Sequence, residues 1–169
     1  MKLKVTGKQP NSRDCFVCGL ENDFGLKSYF YELENGELIA RFFPAEAHQS
    51  YPGRLHGGIS AAILDETLGR LVINHEGSGV WGVTLEFSMK FRKPVPLDQE
   101  VLVRARVTFE NKRTFEGTGE IVLADGSVAV EGKGRYLKMS LANITDDDFE
   151  GEQWRIVAQE DDPLEIEIP

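Results

Sequence analysis

The sequence predicts an α+β domain in which an antiparallel sheet curls around one long helix. Three observations lead there. Stretches with apolar and polar residues in alternation lie on both sides of one helical segment. The stretch 79–139 reads as a meander of strands joined by short turns, which makes that part antiparallel. The one long segment of helical character, Gly57 to His75, contains no proline and would run about 27 Å at 1.5 Å per residue. A lone helix of that length covers several strands only by lying across a face of the sheet. A chain of 169 residues has room for one such core.

The elements follow in order. Leu26 to Glu34 and Glu37 to Phe43 flank Asn35-Gly36, a strong hairpin signal that predicts two turn positions with positive φ. Pro52-Gly53 breaks the chain before the helix, and Gly77 and Gly79 stop it. In the next strand Val83, Leu85, Phe87, Met89 and Phe91 are predicted to face one way, and Thr84, Glu86, Ser88 and Lys90 the other. Val101, Val103, Ala105, Val107 and Phe109 repeat the pattern. Strands over 114–124 and 127–137 close the meander around Asp125-Gly126. The chain divides into an N-terminal segment (1–25), a body (26–140) and a tail (141–169).

Charge separates the tail from the rest. The formal net charge is −9, and residues 141–169 account for all of it, with ten acidic residues against Arg155 alone. The remainder is formally neutral, so the acidity says little about partners of the body. An acidic block of this kind is expected to be disordered or loosely docked, with Trp154, Ile156 and Val157 as the residues that could dock it. No basic, aromatic-rich stretch suits nucleic acid. No apolar run reaches the roughly 18–20 residues of a membrane span, and Met1-Lys2-Leu3-Lys4 opens no signal core, so a cytoplasmic address without membrane attachment is expected.

Asp65 stands out within the helix. Its neighbours three, four and seven positions away are Ala61, Ala62, Leu68, Gly69 and Val72, so a carboxylate lies on a small, apolar face without a charged partner of its own. Such a group is either a structural acid bonded to a neighbouring strand or subunit, or a functional one. Glu66 differs, because Arg70 at i+4 offers it an ordinary helix ion pair. His56-Gly57-Gly58 opens the helix. The first N–H groups of a helix lack internal partners, and two glycines leave them open to an anion or a polarised carbonyl; plain turn glycines are the alternative.

His56-Gly57-Gly58, six residues and then Asp65 resemble the signature of the hotdog-fold acyl-CoA thioesterases of the phenylacetate-pathway (PaaI-like) type. The likeness runs from about Cys15 to Met139 and takes in 83–87 (VTLEF) and 91–96 (FRKPVP). Cys15, Cys18, Gly19, Asn22, Gly25 and Leu26 resemble the N-terminal segment of one subgroup. The resemblance implies a hotdog fold, hydrolysis of an acyl-CoA thioester and no cofactor. It also implies a homodimer or homotetramer with the site between subunits, the acid and the glycines coming from different chains. Asp65 then corresponds to the nucleophile or general base. The Gly57 N–H corresponds to the donor polarising the carbonyl, with Gly58 beside it. His56 corresponds to the residue ordering the loop, and Thr84 to a hydroxyl that positions water. Related enzymes often carry Asn or Gln six residues before the histidine. Here that position is Ser50, next to Gln49, and either could hold the water.

Arg92 and Lys93, close to Lys90, form a basic cluster that suits the phosphates of coenzyme A or simply guards an edge strand. Cys15 and Cys18 are half of a tetrahedral metal site with no second pair in the chain, so no metal is assigned and buried or loop thiols are expected. His75 at the helix end suits the helix dipole. Two other functions remain open: a non-catalytic acyl-CoA binding module, and a dehydratase or hydratase that would use His48 with a helix acid.

Overall fold

The computed structural model describes residues 1–76, 79–148, 151 and 154–169, the side chains of 74–76 excepted. The side chain of His75, and Gly77, which the sequence places at the helix end, fall outside that description.

The strands are β1 (Lys2–Lys8), β2 (Tyr29–Leu33), β3 (Leu38–Phe42), β4 (Val80–Phe91), β5 (Val101–Glu110), β6 (Thr114–Val122), β7 (Val128–Ser140) and β8 (Glu165–Glu167). They form one antiparallel sheet in the order β4-β7-β6-β5-β3-β2-β1-β8. The helix α1 (Gly57–Gly69) lies across β4 to β7 and buries Ile63, Leu64 and Leu68 against them. This is the hotdog plan predicted from the sequence. Close approach of helix and sheet depends on missing side chains: a Cβ at Gly82 would lie 2.6 Å from Gly69 O, and one at Gly117 2.6 Å from Leu71 Cδ1.

Both hairpin glycines turn the chain, though not as a pair of left-handed residues. Gly36 alone has positive φ (82°), and Asn35 does not. Leu33 N–H donates to Glu37 O and Gly36 N–H to Leu33 O, which closes a three-residue loop rather than a two-residue one. The same pair of bonds recurs at Leu123, Gly126 (φ 79°) and Ser127.

Alternation misleads in two strands, for one reason. In β4 the pairing with β7 skips from Thr84 to Glu86, leaving Leu85 as an extra, bulged residue. A single extra residue reverses which side every later residue faces. Val83 and Leu85 therefore do not share a face with Phe87 and Met89. Leu85 is exposed, Phe87 and Met89 pack on the core, and Thr84 points at the helix. In β5 a bulge between Val107 and Phe109 likewise turns Phe109 out to solvent.

The predicted single helix is divided at Arg70, after which α2 (Leu71–Glu76) begins. Arg70 is 3% exposed. Its guanidinium donates to Pro10 O at 2.9 Å, pairs with Glu66 at 2.9 Å and lies 4.0 Å from the Phe30 ring centroid. These contacts hold the residue in the N-terminal half of the molecule. The backbone tightens there, with Ile73 N–H donating to Arg70 O three residues back.

The acidic tail is docked at several points from Trp154 onward, against the expectation of a loose one, although Ile156 and Leu164 are exposed. Trp154 meets Trp81 edge-on at 5.2 Å, and Asn11 and Arg155 exchange both backbone hydrogen bonds. β8 pairs with β1 so that Glu167 is opposite Lys2 and Glu165 opposite Lys4. Asp162 forms an ion pair with Lys8 at 2.5 Å. Charge alternation in β8 matches the lysines of β1, while Ile166 and Ile168 join Leu3, Leu33 and Ile39 in a second, smaller core. The acids looked unpaired in the sequence because their lysines lie at the other end of the chain. No helix among the described residues is long and apolar enough to cross a membrane.

Candidate active site

Asp65 sits in the third turn of α1, half-buried. Its Oδ1 accepts hydrogen bonds from Thr84 Oγ1 at 2.9 Å and from Tyr136 Oη at 3.0 Å. The two donors come from neighbouring strands, β4 and β7, which pair at this level, Thr84 opposite Tyr136. Oδ2 has no hydrogen-bond partner among the described residues. One oxygen is thus fixed by two hydroxyls and the other is not.

Tyr136 is fully buried and stacked on Phe115, with ring centroids 5.1 Å apart. Burial first, and the charge of Asp65 next, push its phenol well above the ordinary tyrosine value, so it remains a donor at neutral pH. The sequence reading missed this residue. Its signal is the spacing Gly132-x-Gly134-x-Tyr136: small residues on the inner face of a strand leave room for a ring whose hydroxyl needs a buried partner. A cavity of about 110 Å³ lies beside the acid, bounded by Glu66, Arg70, Trp81, Thr84 and, from the tail, Trp154.

The other end of α1 is built differently. His56 caps the helix and its Nδ1 accepts the Gly58 N–H at 2.9 Å. That bond removes Gly58 as a free donor. The Gly57 N–H, one residue earlier, has no partner among the described residues and retains the positive end of the helix dipole. An open cleft of about 350 Å³ lies there, with Ser50, Gly57, Phe91, Arg92 and Lys93 in its walls. Arg92 is exposed and pairs with Glu131 at 2.8 Å. Ser50 lines this cleft, whereas Gln49 uses Oε1 to accept the Gly53 N–H and so braces the Pro52-Gly53 turn.

Within one chain the fold brings Asp65 and Thr84 together, and separately Gly57, Ser50, Arg92 and Lys93. It does not unite the two groups. Eight residues of helix put Gly57 and Asp65 about 12 Å apart along the axis, where a shared carbonyl needs both within about 3 Å. His48 is buried, with Nδ1 accepting the Ala45 N–H at 3.0 Å and Nε2 therefore donating to Phe24 O at 2.8 Å. Both ring nitrogens are engaged, which leaves a hydratase reading without its base.

Residues 52–130 match the family profile described as the thioesterase superfamily. That span holds His56, Gly57, Gly58, Asp65 and Thr84. A curated acyl-coenzyme A thioesterase, THEM4 of Bos taurus, is 24% identical over 126 residues, which cover 73% of this chain and 51% of that one. The chain spans about half the length of the curated relatives it matches. Among solved structures, a thioesterase superfamily protein is 27% identical with a TM-score of 0.67, covering 74% of this chain and 60% of the other. The PaaI protein of E. coli, from the phenylacetic acid degradation operon, shares the fold at 16% identity and a TM-score of 0.61, covering 68% and 81%.

Proposed function

From the match of residues 52–130 to the thioesterase superfamily, we propose that the chain hydrolyses an acyl-CoA thioester with Asp65 as the reacting acid. The observation that carries the reading is the asymmetry of that carboxylate: Oδ1 is anchored by Thr84 and Tyr136, and Oδ2 has no partner among the described residues. Oδ2 either attacks the thioester carbon, expelling the thiolate of coenzyme A and leaving an anhydride for water to open, or takes a proton from the water that attacks. In both cases the carbonyl oxygen gains charge and the thiolate leaves. The two hydroxyls fix Oδ1 and so aim Oδ2.

The Gly57 N–H is the donor to the developing oxyanion, supplied by a second copy of the chain. The separation along α1 supports this, and β4 supplies the means. It is a twelve-residue edge strand, paired among the described residues with β7 alone, and long unpaired edges invite a second strand. The assembly is a homodimer or a pair of such dimers. His56 orders the donor loop, Ser50 lies within reach of the water, and Arg92 and Lys93 form the rim that meets the phosphates of coenzyme A.

The test is thiol release from short, medium, long and aromatic acyl-CoA thioesters. Asp65→Ala is expected to lower turnover at least a hundredfold, about 2.7 kcal/mol of transition-state stabilisation. Undiminished turnover in the variant would remove Asp65 from the reaction. Saturable binding with no turnover in the parent chain would make the protein an acyl-CoA binding module.

A further inference from the structure

Cys15 and Cys18 are free thiols that the reaction does not use. They lie in a tight turn in which Gly19 N–H donates to Cys15 O at 2.7 Å. A Cβ at Gly19 would lie 2.6 Å from Cys15 N, so the residue after the second cysteine has to be glycine. The thiolate is the form of a cysteine that binds metals.

The sequence offers no second cysteine pair, but the fold supplies a third ligand from elsewhere. One ligand atom each of Cys15, Cys18 and Glu66 all lie within 4.8 Å of one another. Bond lengths of about 2.1–2.3 Å around a tetrahedral ion put its ligand atoms roughly 3.6–3.8 Å apart, so shifts of about 1 Å close the site. Charge fits as well. Glu66 is already paired with the buried Arg70. When both thiols lose their protons to a divalent ion, two positive charges leave and two arrive, so the buried group stays balanced. Ser12 Oγ, 3.4 Å from Cys18 Sγ and accepting the Cys15 N–H, holds the turn in place without adding a charge.

We propose that Cys15, Cys18 and Glu66 bind a soft divalent cation such as Zn²⁺, with water as the fourth ligand, and that this ion clamps the N-terminal segment to the helix that carries Asp65. Two thiolates select zinc over magnesium or calcium. The clamp joins the first cysteine turn to the residue immediately after the acid.

The test uses the full chain, reduced and stripped with a chelator, then titrated with Co²⁺ as an optical stand-in for Zn²⁺. A thiolate-to-cobalt charge-transfer band that saturates at one ion per chain and is bleached by Zn²⁺ is expected. Cys15→Ser, at a half-buried position, should abolish the band. Glu66→Gln should leave the band while weakening Zn²⁺ binding by at least the roughly tenfold that loss of even an outer-shell partner causes. Absence of the band in the folded, reduced parent chain, or its survival in Cys15→Ser, overturns the proposal. An unchanged Zn²⁺ affinity in Glu66→Gln overturns the assignment of the third ligand. None of these readings depends on thioester hydrolysis, so failure here and failure of the enzymatic reading are separable.

Discussion

The two ends of α1 treat unpaired polarity in opposite ways. In the third turn, Asp65 is gripped at one oxygen by hydroxyls from two strands, and Trp81 and Trp154 wall its small cavity. At the first turn, the helix stays open: His56 takes the Gly58 N–H, the Gly57 N–H has no partner among the described residues, and a cleft three times larger leads to it. The acid is held from within its own chain, whereas the helix N-terminus stays open, and in the proposed function it is a second copy of the chain that brings the two together.

The largest effect should come from breaking the open end alone. Gly57→Pro removes one N–H at the first helical position, where proline is tolerated, and the extended His56 before it (ψ 134°) accommodates the ring. Turnover is expected to fall about 10²–10³-fold with the far-ultraviolet circular dichroism unchanged. Mixing this variant with Asp65→Ala should restore part of the rate, because a hybrid dimer carries one intact site. No recovery on mixing would place acid and donor in one chain.

Tyr136→Phe probes the gripped end and should have a smaller effect. Loss of one hydrogen bond to a carboxylate costs about 1.5–3 kcal/mol, which predicts roughly a tenfold or greater fall in kcat and a lower denaturation midpoint. The parent phenol also gives a pH signature. Burial, and then Asp65, hold it above its ordinary value of 10.0, so the unfolded chain loses that proton first. Stability from this residue is complete below that pH and declines as the pH rises above it. Alkaline denaturation followed by tyrosine absorbance should show a smaller loss in Tyr136→Phe than in the parent, the remainder coming from Tyr29 and Tyr31, which are also raised. Thr84→Val should have the smallest effect, since Thr84 is exposed in the single chain and Tyr136 retains the carboxylate. A loss of about 0.5–1.5 kcal/mol, a few-fold in kcat, is expected in the same thiol-release assay.

Local sequence was enough to set the plan. Alternating strands around one proline-free helix, glycines at both hairpin loops, and an acid among Ala61, Ala62, Leu68 and Gly69 depend on neighbours within a few positions, and all are legible there. What the tertiary structure decided involves residues far apart in the chain. The bulge at Leu85 depends on how β4 pairs with β7, and it turns Thr84 from the predicted outer row toward Asp65. Tyr136 completes the grip from seventy-one residues away. Arg70 divides the helix because Pro10, Phe30 and Glu66 hold its side chain. The acidic tail docks on lysines near Met1, and the cysteine pair meets Glu66 on the central helix. Periodicity reports which way a side chain faces only while the register is unbroken, and it carries no information about which distant group will stand opposite.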